Sequence, residues 1–337
     1  MANRLKRGLT ALAVALLTAT GLAVSTPASA AGDAFTPPPP IPKASKADRT
    51  SPKAKSPGVK GHPDLRPQLA AGQRKLLAGP YYFYGVAQQT HTTGTTDGVM
   101  ANLVTAKPWV DSAVKDDHSL AEVSIQDTAT GHAVEIGYTV DPGTFGDSNP
   151  RLFVYHWVLG VPQGYGAGFT DNAANPINHG SLLPYPLQKS FFIQRSGGDW
   201  WVGYDTAWVG RFAGANFTGG FTSGTETSGF GEVATKPGTS HTTSCSDMGH
   251  NGELGYATNV NATRVGSAGV HDITTNAWVN GVQTVWVAST GTAVPATGVY
   301  EANPSVTPPN PPTNRTMRYG GPGWNSAGTA AGTANAC

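Results

Sequence analysis

The sequence predicts an all-β protein whose main part is one large domain, and three observations carry the prediction. From about Gly79 onward, aromatic and β-branched residues alternate with polar ones, and Gly, Asn, Asp or Pro interrupts the chain every ten or so residues. Apolar residues do not recur at the three- and four-residue spacing of a helix. Many short strands separated by turn residues are typical of an antiparallel sandwich or a barrel. The segment 79–337 has a suitable length for one such domain.

The first thirty residues have the pattern of a secretory signal peptide. Three basic residues among the first seven precede an apolar run from Leu9 to Val24, and Ala28-Ser29-Ala30 is a small-residue cleavage site. We therefore expect residues 1–30 to be removed and the protein to be secreted. No later stretch approaches the roughly 20 apolar residues of a membrane span, so no membrane association is expected after cleavage.

Residues 31–78 form a proline-rich, basic leader. Pro37 to Pro40 is followed by five more prolines among scattered lysines, with few large apolar residues. Such a segment buries too little surface to offset its ordering entropy, which predicts a disordered or polyproline-like chain. It serves either as a linker or cell-wall spacer, or as a propeptide of the domain at 79–337.

The charge is divided unevenly between these parts. Residues 1–80 carry 12 basic and 3 acidic side chains, a net of +9, and residues 81–337 carry 10 basic and 18 acidic ones, a net of −8. An acidic main domain argues against a nucleic-acid-binding protein, whose contact surface is basic. The opposite signs predict a long-range attraction between leader and domain.

Five segments of the main domain have a strand pattern. Val134–Val140 alternates strictly and is closed by Asp141-Pro142-Gly143. The second and last are 152–158 and 282–288. Between them, 191–195 passes through Ser196-Gly197-Gly198 into 200–204, which predicts a hairpin.

The two cysteines, Cys245 and Cys337, predict a disulfide in an exported protein. It would close a loop of roughly 90 residues and stabilise the fold by about 4–5 kcal/mol through loss of chain entropy. The alternative is a metal site of His241, Cys245, Asp247 and His250, although their spacing matches no standard zinc pattern. We expect no metal and no cofactor.

Carboxylates are the best candidates for catalysis, because the chain has no Gly-x-Ser-x-Gly elbow and no phosphate-binding or dinucleotide-binding glycine loop. On the strand 134–140, Val134, Ile136, Tyr138 and Val140 share one apolar face, and Glu135 lies on the other. A carboxylate among small neighbours fits the floor of a groove, in which Gly137 leaves room for a substrate backbone. The alternative is a solvated strand face.

Glu232 is the second candidate, in the segment Gly229-Phe230-Gly231-Glu232-Val233-Ala234. Glycine within a strand often marks a bulge or the close approach of another backbone. The alternative for Glu232 is again an ordinary surface glutamate.

The surroundings of Glu135 resemble the first glutamate motif of the neprosin family. The matching segments are Val134 to Pro142, Gly146-Asp147-Ser148-Asn149 and Arg151-Leu152-Phe153. Further segments resemble later motifs of that family in the same order: Gly198-Asp199-Trp200-Trp201, Gly231-Glu232-Val233, His241-Thr242, Met248-Gly249, and Tyr319 to Gly323 with Asn325.

This resemblance implies a secreted glutamic peptidase that cuts on the carboxyl side of proline, with Glu135 and Glu232 as the catalytic pair. The implied fold is an antiparallel β-sandwich of two curved sheets with the active site in a concave groove. Five aromatic residues are candidates for stacking on a prolyl ring, with core packing as the alternative: Tyr138, Tyr155, Trp157, Trp201 and Phe230. The expected partners are proline-containing proteins or peptides, and a monomer is expected.

Two other functions fit the same residues. A β-sandwich glycoside hydrolase also uses two carboxylates that flank the scissile bond. A non-catalytic carbohydrate-binding module would use aromatic platforms and would not need the glutamates.

Overall fold

The computed structural model describes residues 37–50, 81–91, 96–111, 117–235 and 246–249, and the backbone of five further strands between 263 and 320. All of these lie in one compact unit, Gly32–Cys337. No helix among them is long and apolar enough to cross a membrane.

Strands make up nearly all of the regular structure that is described. In chain order the elements are β1 Arg49–Thr50, β2 Tyr81–Thr90, β3 Thr96–Thr105, β4 His118–Asp127, β5 His132–Val140, α1 Pro142–Phe145, β6 Arg151–Val158, β7 Val161–Pro162, β8 Phe169–Asp171, β9 Leu187–Ser196, β10 Asp199–Tyr204, β11 Ala207–Phe212, a 3-10 turn Gly214–Asn216, β12 Glu226–Thr235, β13 Thr263–Asp272, β14 Ala277–Asn280, β15 Val287–Thr290, β16 Glu301–Thr307 and β17 Asn314–Gly320.

These strands form two antiparallel sheets. The first has the order β1-β8-β11-β10-β9-β3-β13-β17-β16, with β14 paired to β13. The second has the order β15-β2-β12-β4-β5-β6-β7. In the second sheet β12 lies between β2 and β4, so strands far apart in the chain become neighbours.

The main hydrophobic core lies between the two sheets. Val134, Ile136 and Tyr138 from β5 pack in the same cluster as Trp200 and Val202 from β10. Their alternation with polar residues confirms the predicted inward face of β5. The predicted all-β, antiparallel sandwich is confirmed.

The outer faces of both sheets are also buried. One aromatic cluster lies on the second sheet and includes Tyr155, Trp157 and Phe230. Another lies on the first sheet and includes Trp201 and Trp208. Since each sheet is covered on both sides, alternation alone does not show which face of a strand meets the central core.

The local predictions have mixed outcomes. The hairpin is confirmed, because β9 pairs with β10 and the turn places Gly197 and Gly198 at φ values of 61° and 94°. The segment after β5 forms the short helix α1, in which the Asp141 side chain accepts a hydrogen bond from the Thr144 amide at 2.8 Å. Of the predicted strand 282–288, only 287 and 288 lie among the described residues, at the start of β15.

Candidate active site

Three glutamates lie on one face of the second sheet. Glu232 is on β12, Glu122 on β4 and Glu135 on β5, which are consecutive strands in the sheet. In the register, Phe230 of β12 and Gly137 of β5 both stand opposite Glu122. Glu232 and Glu135 are therefore each one strand away from Glu122 and displaced by two residues, in opposite directions.

The three residues form a diagonal row, which we call the glutamate row. Diagonal neighbours on one face of a sheet are about 7–8 Å apart, with their Cβ atoms somewhat closer, which is within reach of long side chains. All three side chains are fully buried. The two glutamates predicted from the sequence thus share a face, and the middle position between them is occupied by a third carboxylate.

Glu135 is held by an indole. Nε1 of Trp157 donates a hydrogen bond of 3.0 Å to Oε1 of Glu135. Both residues lie on the same face of neighbouring strands, and Tyr155 stands directly opposite Glu135 in the β5–β6 register. Because an indole nitrogen is a donor only, it favours the ionised form of this carboxyl group.

Glu232 is held by an imidazole. Nε2 of His118, at the start of β4, lies 2.8 Å from Oε1 of Glu232, and both side chains are buried. The ring can donate to an ionised glutamate, or a protonated glutamate can donate to the ring nitrogen. Glu232 therefore has a partner that can either donate or accept a proton, whereas the Trp157 indole can only donate to Glu135.

Glu122 was not among the catalytic residues predicted from the sequence, although the alternation of apolar residues on its strand could have indicated it. On β4 the residues Ser119, Ala121, Val123 and Ile125 alternate with the set that carries Glu122. This is the period-two pattern that singled out Glu135, and Val123 and Ile125 do pack in the central core.

The expected role of Gly137 is not supported by its surroundings. A Cβ atom at this position would lie 2.0 Å from the Ala121 carbonyl oxygen and 2.7 Å from Cβ of Glu122. The missing side chain at Gly137 therefore makes room for Glu122 and the neighbouring strand, and not for a substrate backbone.

Two buried tyrosines flank the glutamate row and stay protonated. Burial, and then the negative charge of Glu232, raises the pKa of Tyr84, which stands opposite Glu232 on β2. Burial also raises the pKa of Tyr165, followed by the charges of Asp141 and Glu232. Their phenol groups are therefore neutral at neutral pH.

The structure brings together three of the five aromatic residues predicted to bind substrate. Tyr155, Trp157 and Phe230 lie in the cluster on the glutamate face. Tyr138 points the other way and packs in the core between the sheets. Trp201 lies on the outer face of the first sheet. Tyr138 and Trp201 therefore do not lie beside the glutamates, contrary to the prediction. Strand alternation turns Tyr138 to the other face of β5, and Trp201 belongs to the other sheet.

The predicted disulfide cannot be compared with the fold, since Cys245 and Cys337 lie outside the described residues and the pairing stays a prediction. Of the four alternative metal ligands only Asp247 is described. Within the described part of the chain, no three His, Cys, Asp or Glu side chains are grouped in a way that would hold a metal ion.

Fold and site together define a class of protein. A β-sandwich with a row of buried carboxylates, one beside a fixed donor and one beside an imidazole, has the groups that acid–base hydrolysis requires.

The family is shown by sequence comparison. The family model described as Neprosin matches residues 115–322, which is more than half of the chain and includes all three members of the glutamate row. The chain belongs to the neprosin family and is, at this general level, a glutamic peptidase. No curated protein sequence matches it.

Solved structures with a similar arrangement of strands are distant. SCP-B, a member of the eqolisin family of peptidases in complex with the tripeptide Ala-Ile-His, has 11% identity and a TM-score of 0.36, covering 72% of this chain and 100% of its own. A native glycosidic hydrolase has 9% identity and a TM-score of 0.27, covering 45% and 65%. The carbohydrate-binding module CBM66 from Bacillus subtilis has 9% identity and a TM-score of 0.25, covering 45% and 80%.

Proposed function

We propose that this protein is a secreted, acid-acting endopeptidase that cleaves peptide bonds after proline, with Glu135 and Glu232 activating water. The observation that carries the proposal is the glutamate row, which places both residues on one buried face together with aromatic side chains. Family membership supports the peptidase class.

Glu135 is proposed as the base. Trp157 occupies its Oε1 with a donated hydrogen bond, so any proton it receives goes to Oε2. The ionised carboxylate takes a proton from water while the water oxygen attacks the scissile carbonyl carbon. It later returns that proton to the leaving nitrogen as the C–N bond breaks, which yields a free carboxylic acid and an amine.

Glu232 is proposed as the acid. In its protonated form it donates to the oxygen of the attacked carbonyl, on which negative charge develops. Nε2 of His118 lies 2.8 Å from Oε1 of Glu232, so the proton can be shared between the two groups. This hydrogen bond lowers the free-energy cost of burying the polar carboxyl group.

Like-charge repulsion explains an acid working range. At about 7 Å and an effective dielectric constant of about 20, two carboxylates repel by roughly 2 kcal/mol. A neighbouring like charge disfavours a second charge, so the mechanism needs acid conditions under which one carboxyl group of the pair carries a proton. Activity requires one ionised and one protonated end member, and it falls toward neutral pH as the second proton is lost.

Access to the glutamate row is part of the proposal, because the row is buried. None of the three glutamate side chains is exposed to solvent. A peptide therefore reaches them only after a rearrangement, and the aromatic side chains of Tyr155 and Phe230 are then candidates to contact a prolyl ring.

The test is digestion of a denatured protein mixture across pH 2–8, with every new terminus identified by mass spectrometry. We expect cleavage in acid, enriched after proline and absent in neutral buffer. Acid cleavage without enrichment at proline would contradict the proposed proline specificity, while the assignment as a glutamic peptidase would stand. Release of sugar from polysaccharide with no peptide cleavage would overturn the proposal in favour of a glycoside hydrolase.

A further inference from the structure

Part of the leader packs against the outside of the domain. Residues 37–50, expected to be disordered or polyproline-like, run across the outer face of the first sheet. The contact surface is formed by Met100, Phe192, Trp201 and Trp208 together with Arg211 on β11, and we call it the outer tryptophan face. It lies on the sheet opposite the one that carries the glutamate row.

Apolar and polar contacts hold the proline-rich end. Nε1 of Trp208 donates a hydrogen bond of 3.0 Å to the carbonyl oxygen of Pro39. Ile41 packs against the cluster that contains Trp201 and Trp208. An indole donor that meets a carbonyl of a proline-rich segment on an aromatic surface is the arrangement by which grooves recognise polyproline-type peptides.

An ion pair holds the other end. Nη1 of Arg211 donates to Oδ2 of Asp48 at 2.5 Å, and only 3% of the Asp48 side chain is exposed. The guanidinium group of Arg211 also lies 5.1 Å from the ring centre of Trp201. Burial raises the pKa of the Asp48 carboxyl group, but hydrogen bonds from Arg211 and from the amides of Ser45 and Ala173 outweigh it and lower the pKa overall.

Strand pairing completes the attachment. Arg49 and Thr50 form β1, which pairs antiparallel with Asp171 and Thr170 of β8 and so covers the edge of the first sheet. Lys43 and Lys46 of the same segment are exposed. The attachment therefore uses an indole, an apolar side chain, a buried ion pair and an edge strand, and not the general attraction between a basic leader and an acidic domain.

We propose that the outer tryptophan face is a binding site for a proline-rich peptide that carries an acidic residue, and that residues 37–50 occupy it without needing a covalent link. After the chain is cut between residues 51 and 80, this segment stays bound to the domain as a separate peptide. The proposal does not depend on the peptidase assignment, because the face and the glutamate row lie on different sheets.

The experiment uses the full chain with Glu135→Gln, so that self-cleavage does not interfere, and with a recognition sequence for a site-specific protease placed between residues 51 and 80. After complete cleavage, gel filtration with mass spectrometry shows whether the N-terminal fragment elutes with the domain. We expect co-elution at low micromolar concentration, in 0.15 M and in 1 M NaCl, because partly buried contacts are screened much less than exposed ones.

Variants locate the contact. Asp48→Asn and Ile41→Ser alter only the leader and leave the domain unchanged, and each is expected to speed dissociation at least tenfold. Trp208→Phe keeps an aromatic ring and removes the donor to Pro39, with a smaller effect in the same direction. Lys189→Ala removes the surface ion pair with Asp205, which does not contact the leader, and serves as the matched control.

Two outcomes would overturn the proposal. One is that the fragment elutes separately at every salt concentration. The other is retention that 1 M NaCl abolishes and that Asp48→Asn and Ile41→Ser do not change, which would indicate charge attraction alone. A labelled synthetic peptide of residues 37–50 and its scrambled version, added to domain from which the fragment has been washed, check the sequence dependence directly.

Discussion

Nε2 of His118 lies 2.8 Å from Oε1 of Glu232, and both side chains are buried on the glutamate face. The two residues are 114 positions apart in the chain. They come together because their strands, β4 and β12, are neighbours in the sheet. This contact gives Glu232 a partner that can accept or donate a proton, and it distinguishes Glu232 from Glu135, whose indole partner can only donate.

We predict that His118→Gln lowers kcat about tenfold or more and changes KM little, because glutamine offers a neutral donor but does not hold a proton. Rates on a proline-containing peptide measure both constants. His132→Gln is the matched control, since His132 is a buried histidine whose Nε2 contacts the Thr218 carbonyl away from the glutamate row. An unchanged kcat in folded His118→Gln would remove His118 from the mechanism.

Both Glu135→Gln and Glu232→Gln are expected to fold and to lose peptide cleavage by at least a hundredfold, since general acid–base groups contribute about 10²–10⁴ to the rate. Circular dichroism checks the fold and peptide hydrolysis checks the rate. Glu226→Gln on the same strand β12 is the control, because Glu226 accepts a hydrogen bond from Gln126 and lies outside the row. Full activity in either glutamate variant disproves its assignment.

Glu122→Gln tests the middle of the glutamate row. Without this negative charge, the two end members of the row lose a like-charge repulsion of roughly 2 kcal/mol, at about 7 Å and an effective dielectric constant of about 20. We expect the pH profile of kcat/KM to move toward acid by about one unit. A purely structural role for Glu122 would instead reduce the folded fraction and leave the profile in place.

Trp157→Phe removes the indole donor to Glu135 and keeps an aromatic ring. The ionised form of the base becomes less favourable, so the acid limb of the pH profile should move to higher pH by about one unit, since a hydrogen bond to a charged group is worth about 1.5–3 kcal/mol. Trp200→Phe is the control, because it removes an indole bond to the Phe221 carbonyl within the central core. Equal pH profiles for wild type and Trp157→Phe would contradict the role given to the indole.

Two buried histidines are expected to lower the stability of the fold in acid. Burial lowers the pKa of His179 to about 4, and burial followed by repulsion from His132 lowers the pKa of His156 to about 4. Both stay neutral in the folded state while the unfolded chain takes up protons near pH 6.5. The free energy of unfolding should therefore fall between about pH 6.5 and pH 4, by up to about 3 kcal/mol for each histidine.

Urea unfolding at pH 7 and at pH 4 measures this loss. The expected result for His179→Gln is a smaller difference between the two pH values than in wild type, even though the substitution costs stability at pH 7. An undiminished difference would show that His179 does not contribute to the loss of stability in acid.

The sequence by itself determined the class of the fold and one half of the site. Strict alternation over Val134–Val140 separates Glu135 from the apolar face of its strand, and the structure confirms that Val134, Ile136 and Tyr138 pack inward. The turn Ser196-Gly197-Gly198 defines the β9–β10 hairpin through positive φ at two glycines. These features are local, because side-chain direction along a strand and turn geometry depend on a few consecutive residues.

Only the tertiary structure decided which strands are neighbours. Glu122 enters the row because β4 lies between β12 and β5, an order set by long-range pairing that no local pattern encodes. For the same reason Trp201 belongs to the outer tryptophan face, and residues 37–50 acquire contacts despite a composition that predicts disorder. The leader buries little surface of its own, and it is ordered by contacts with strands that follow much later in the chain, such as that of Trp208 with Pro39, 169 positions apart.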